Sequence, residues 1–134
     1  MSRPAVRQAL ETALSGISPA VDVAWENHPY TPVTGTPYQA AALLVAEPDN
    51  PEIGGGYMER GIFQINLNYP LNTGPGAAEA RAEVIRATFP RGASFTADGI
   101  TTNIERTPEI GSGRTEEDRY FLPVKIRFFS HVRS

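Results

Sequence analysis

The sequence predicts an α+β fold, two helices on a mainly antiparallel sheet in the order α-β-β-β-α-β-β, and three observations carry that prediction. Residues 57–69 alternate strictly, with Phe63, Ile65 and Leu67 on one side and Ile62, Gln64, Asn66 and Asn68 on the other, which is the period-2 pattern of a half-buried strand. Residues 119–129 repeat the pattern, with Leu122, Val124, Ile126 and Phe128 against Arg119, Lys125 and Arg127. Only two stretches show helical periodicity, one at the start of the chain and one after Pro75, so helices and strands do not alternate as a parallel α/β sheet would require.

The first helix carries Val6, Leu10, Ala13 and Ile17 at spacings of four and three, with Ser2 available as a cap and Pro4 near the first turn,. Gly16, Ser18 and Pro19 stop it,. Val21, Val23 and Trp25 then alternate with Asp22, Ala24 and Glu26 as a short strand, and Trp25 is expected to be buried against Leu10 or Ile85. The connector from Trp25 to Tyr38 contains Pro29, Pro32 and Pro37, which pre-set φ, exclude helix and leave a stiff extended arm,. Residues 38–47 carry apolar side chains on both sides, the pattern of a central strand covered on two faces.

Residues 48–56 combine Pro48, Asp49, Asn50, Pro51 and Glu52 with three glycines and are expected to form a mobile loop,. The strand that follows is long, roughly 40 Å at ~3.3 Å per residue, so one end is expected to project. In the second helix Ala78, Ala82, Ile85 and Phe89 make the core stripe and Glu79, Glu83 and Arg86 the wet face,. Ala80, Val84 and Ala87 form a third face of small residues, a candidate subunit contact. After Pro90 and Gly92, residues 100–106 read as a strand, and residues 107–117 read as a second mobile loop, charged and glycine-containing. Pro123 has no ladder donor, which points to a final strand at a sheet edge blunted by Arg119, Lys125 and Arg127.

The 134 residues fit one domain spanning 1–134, large enough to bury roughly two-thirds of its unfolded surface,. With no cysteine, disulfides and thiol catalysis are excluded,. The net charge of −3 and a single lysine argue against a nucleic-acid surface,. No apolar stretch nears the ~20 residues of a membrane span and no signal-peptide pattern leads the chain, so a cytoplasmic protein is expected. No catalytic constellation or metal-ligand spacing emerges: His28 and His131 lie far apart, Gly111-Ser112-Gly113 has no nucleophile-elbow setting, and no glycine run is followed by the Lys-Ser/Thr of a phosphate loop,. No cofactor is expected, and binding or assembly is the better functional class. The alternative is a small-molecule or catalytic pocket lined by Trp25, His28, Tyr30 and Tyr38.

Trp25-Glu26-Asn27, Pro29-Tyr30-Thr31-Pro32 and Thr36-Pro37-Tyr38, then Gly61-Ile62-Phe63-Gln64-Ile65, Gly74-Pro75-Gly76-Ala77-Ala78 and Tyr120-Phe121-Leu122-Pro123-Val124, resemble the tail terminator (tail completion) proteins of phages and prophages. The resemblance implies an α/β fold with an antiparallel sheet and a hexameric ring that caps the head-proximal end of the tail tube. It also implies the tail tube protein and the head-tail connector as partners, assembly in the host cytoplasm, and a final place in the virion tail. Its motifs are structural and carry over no verified interface residue. Candidate ring contacts are Ala80, Val84 and Ala87, with Asp49, Asn50 and Glu52 of one loop and Arg114 and Glu116 of the other.

Overall fold

Helix α1 (Ser2–Ser15) buries Ala5, Val6, Ala9, Leu10 and Leu14, with Ile17 just past its end, so one continuous stripe drives its docking,. Ser2 already lies inside the helix. Leu14, rather than the expected Ala13, completes the stripe, because the bulkier side chain takes the enclosed position and Ala13 is left half-buried. The computed structural model describes residues 2–18, 21–32, 35–46, 56–71, 74–116 and 119–132.

The strands are β1 (Asp22–Ala24), β2 (Tyr38–Val45), β3 (Tyr57–Pro70), β4 (Ser94–Ala97), β5 (Ile100–Ile104), β6 (Glu109–Ile110), β7 (Arg114–Glu116) and β8 (Arg119–Val132); α2 (Gly76–Thr88) falls between β3 and β4. They form one sheet in the order β1-β2-β3-β8-β5-β4, with β6 and β7 also on β8. Among the described residues only β1 runs parallel to its neighbour, and the other pairings are antiparallel. The expected α+β class holds, with more strands than the sequence suggested.

The spine of the sheet is the β3–β8 ladder, which runs without a break from Tyr57↔Val132 to Pro70↔Arg119. The long strand therefore does not project alone; its partner runs beside it over the full length. The other edge of β8 is occupied in succession by β7, β6 and β5. Residues 107–116 are thus not an irregular loop. Glu109 and Ile110 pair with Lys125 and Val124, and Arg114 to Glu116 pair with residues 119–121. Residues 48–55 of the other expected loop, with Asp49, Asn50 and Glu52, lie outside the described residues.

Pro123 sits in the middle of this central strand, not at an edge. Its carbonyl accepts the Gly111 N–H at 2.9 Å. Because the N and O of a strand residue point the same way, the missing donor faces the break between β6 and β7, where no ladder needs it. Arg119, Lys125 and Arg127 accordingly do not blunt an edge.

The core lies on one face of the sheet. Ala41 and Leu43 of β2, Phe63, Ile65 and Leu67 of β3, and Leu122, Val124, Ile126 and Phe128 of β8 meet α1 and the Ala78, Ala82, Ile85 stripe of α2, closed by Phe89. Phe89 sets its ring edge-on to Phe63 at 6.2 Å and tilted on Phe95 at 5.4 Å,. Neither helix covers the opposite face. There β2 is buried on one side only and Leu44 is 50% exposed, which corrects the expectation of a strand covered on both sides. Its alanines and leucines are apolar on both sides, but the second side meets no helix. Trp25, at the margin next to the edge strand β1, is half-buried against the core rather than enclosed in it.

Candidate interaction surfaces

The outer surface of α2 projects Ala80, Val84 and Ala87, all exposed, with Val84 at 37%. They are free to face outward because Ala78, Arg81, Ala82 and Ile85 take the inward positions. Glu79 and Glu83 stand beside them. Arg86 donates to Glu83 at 3.1 Å and, through Nε, to the Pro108 carbonyl at 3.1 Å, tying the helix to the start of β6. Glu79 in the first turn and Arg86 in the last complement the helix dipole,.

Arg81 is the residue that periodicity alone did not assign. It lies buried between α2 and the sheet, donating through Nε to Gln39 Oε1 at 3.4 Å, and burial lowers its pKa while Tyr69 nearby offsets part of that shift. Burial likewise raises the Tyr69 hydroxyl. Its role is to fix α2 against β2.

The connector after β1 is pinned at three points. Glu26 accepts the Leu43 N–H at 3.1 Å and the Arg7 guanidinium at 2.9 Å, joining α1 to the uncovered part of the β2 edge. The backbone bond, then Arg7, holds the Glu26 carboxyl below its ordinary range,. Asn27 turns the chain at φ 61, a conformation Asn tolerates, and the His28 N–H donates to the Trp25 carbonyl at 3.1 Å,. Tyr30 then packs against Tyr38, the rings tilted by 37° with centroids 5.0 Å apart, with its hydroxyl 3.4 Å from Asp22, and Arg119 lies over the Tyr38 ring at 5.1 Å while donating to the Thr36 carbonyl at 2.6 Å. The arm is therefore fastened to the sheet, as its prolines suggest.

Among the described residues, surface cavities form elsewhere. One of about 620 Å³ lies between α1 and β4, with Ala9, Ala13 and Phe95 among its walls. One of about 680 Å³ lies at the end of the bare sheet face, around Leu44, Ile62 and Arg127. A third, of about 640 Å³, is bounded by Arg91, Glu105, Arg106 and Thr107. None is lined by Trp25, His28, Tyr30 or Tyr38. The structure brings Tyr30 and Tyr38 together as a tilted pair, while Trp25 packs on the core and His28 is exposed.

Of the loop candidates, Arg114 sits over the Phe121 ring at 4.6 Å, already engaged within the β7–β8 pairing. Glu116 closes β7 opposite Arg119. Sequence reasoning missed the Leu44 surface because its residues come from three strands and meet only through register: Leu44 pairs with Ile62, and Ile62 with Arg127. Among the described residues no cluster of His, Asp or Glu could hold a metal ion, and no helix is long and apolar enough to cross a membrane.

One similar solved structure superposes with a TM-score of 0.80 at 25% identity, over 100% of this chain and 99% of that one, so the whole architecture is shared. No curated protein matches the chain in sequence. A sequence profile described as phage tail terminator protein matches residues 5–128, from the first helix into the last strand. The chain belongs to the phage tail terminator protein family.

Proposed function

We propose that this protein is the terminator of a phage tail: a ring, hexameric as the resemblance implies, that caps the tail tube, halts its growth and joins it to the head-tail connector. The observation that carries the reading is the family match across residues 5–128. The family is a structural one, and the described surfaces suit assembly, with a rigid proline arm, an outward helix face and a bare sheet face. On this reading the chain takes no cofactor, metal or nucleic acid. It assembles in the host cytoplasm, becomes part of the virion tail, and works as one domain.

The ring contacts we propose include Ala80, Val84 and Ala87 on α2, with Arg114 and Glu116 of the β7 segment and Asp49, Asn50 and Glu52. The test is native mass spectrometry of the purified protein, alone and with tail tubes, beside electron microscopy of tail lengths. The wild type is expected to be monomeric or weakly associated at low concentration and to form closed rings on tubes. Val84→Arg replaces a side chain that is already 37% exposed, so the monomer should stay folded while rings and length control are lost. Normal rings in that variant would remove α2 from the interface, and tubes that acquire no ring from the wild type would overturn the terminator reading.

A further inference from the structure

The two large hydrophobic side chains left exposed among the described residues are Leu44, at 50%, and Val84, at 37%. They lie on opposite sides of the molecule. Leu44 is on the bare face of the sheet, in register with Ile62 and Arg127, whereas Val84 is on the outside of the helix that covers the other face.

Their surroundings carry opposite charge. Among the described residues, Arg60, Arg106, Arg127 and the acid Glu105 stand around Leu44 and Ile62, and Glu105 pairs with Arg60 at 3.7 Å. Arg106 and Arg127 are exposed, so the described residues at this end of the sheet carry an excess of positive charge. On the exposed surface of α2 around Val84 stand Glu79 and Glu83; of the helix's two bases Arg81 is buried and Arg86 pairs with Glu83 at 3.1 Å, leaving an excess of negative charge on that surface. An apolar centre inside a charged rim is the composition of a docking patch. Two such patches of opposite sign on one chain are matched to each other. Within one molecule they cannot meet.

We infer that the Leu44–Ile62 end of the bare sheet face docks on the Val84 surface of α2 in a second copy of this chain, with Arg106 and Arg127 facing that copy's acidic rim. The contact is heterologous: each copy offers its sheet face to one neighbour and its helix face to the other, so it leads to a ring where the rotation closes. The charges set register and encounter, and the apolar centre supplies the buried contact. The inference rests on the ring reading above and names both halves of its interface.

The absence of native cysteine makes the test direct. A Leu44→Cys/Val84→Cys double variant treated with a short bis-maleimide, which spans more than a disulfide can, should give a ladder of covalent oligomers ending at the ring size. Each single-cysteine variant should stay monomeric under the same treatment. Arg106→Glu with Arg127→Glu in the double-cysteine background should slow cross-linking by about tenfold or more, and Glu79→Arg with Glu83→Arg should restore it. Circular dichroism of each variant checks that the fold is kept. Efficient Leu44→Cys self-linking would mean an isologous contact and overturn the inference. So would an absent ladder while native mass spectrometry shows wild-type rings, an outcome that leaves the ring reading standing. If no wild-type ring forms even with tail tubes, reading and inference fall together.

Discussion

Gly61 lies where β2 and the Phe128 ring leave no room for a side chain, and its replacement by alanine is a direct test of the packing. A Cβ at this position would run into the Leu44 carbonyl oxygen of β2 and lie 2.9 Å from the Phe128 ring carbon Cζ. Phe128 is fully buried, with little room to retreat, and the Leu44 carbonyl is held by the β2–β3 ladder. Overpacking of this kind costs about 1–3 kcal/mol. Replacing a strand glycine returns about 0.5–1 kcal/mol of backbone entropy. The net expectation for Gly61→Ala is a loss of about 1–2 kcal/mol, because a backbone atom is among the obstacles. In urea, at a slope of about 2 kcal/mol/M, the midpoint should fall by about 0.5–1 M with the slope unchanged. The double variant Gly61→Ala/Phe128→Leu separates the two obstacles: if the carbonyl dominates, alanine stays as costly in the Phe128→Leu background as in the wild type. A Gly61→Ala midpoint equal to or above wild type would refute the argument from close approach.

Trp25→Ala should destabilise by about 1–2 kcal/mol, below the ~3–5 kcal/mol of a fully buried tryptophan, because the ring is only half-buried,; loss of partner binding with unchanged melting would instead make Trp25 a surface anchor. Phe89→Ala, which removes a fully buried ring from between Phe63 and Phe95, should cost about 3–5 kcal/mol in the same denaturation assay,. Glu26 is held below its ordinary pKa when folded, so its stabilisation is complete above the unfolded value of about 4.3 and is lost as pH falls through the folded one,. Its side chain is 42% exposed, so Glu26→Gln should cost only about 0.5 kcal/mol at neutral pH after screening, with the gap to wild type closing below about pH 4,. Asp98 turns the β4–β5 hairpin at φ 52; Asp98→Asn should be near neutral, and Asp98→Val should cost about 1–3 kcal/mol, with equal stability of the two refuting that role,.

The parts of the fold that sequence revealed are those where burial imposes a period. Phe63, Ile65 and Leu67 and their partners Ile126, Val124 and Leu122 alternate because one side of each strand meets helices. Ala78, Ala82, Ile85 and Phe89 repeat at helical spacing for the same reason. Short strands that merely line β8 leave no such trace: Arg114-Thr115-Glu116 is held by its backbone pairing and reads as a solvated loop. Strand β4 was equally hidden, although Asp98-Gly99, both at positive φ, is the dipeptide of a two-residue hairpin and marked it,. Pro123 misled because a missing donor reports only on its own ladder position, and the break it faces is local. As for the surfaces, Ala80, Val84 and Ala87 were legible as the helix face left over when the core stripe is assigned. Leu44, Ile62 and Arg127 were not, since their neighbourhood exists only once β2, β3 and β8 are in register.

That register also bears on how a ring could hold its size. Leu44 is carried by β2, and its carbonyl leaves no room for a Cβ at Gly61 of β3, while α2 packs on the core face of β3 and β8. The two patches inferred to meet between copies are thus mounted on the same central ladder, one on each side. The angle between them is set by how that ladder twists, because the strands cannot slide without turning their buried side chains to the wrong face. Small changes in curvature at Gly61 would then be repeated at every contact around a closed ring. Gly61→Ala is therefore expected to impair ring formation beyond what its loss of stability explains, which can be read by native mass spectrometry at a temperature where the variant monomer is still fully folded. Rings of normal size and yield from that folded variant would show that closure tolerates the strand shift and that the sheet does not set the angle.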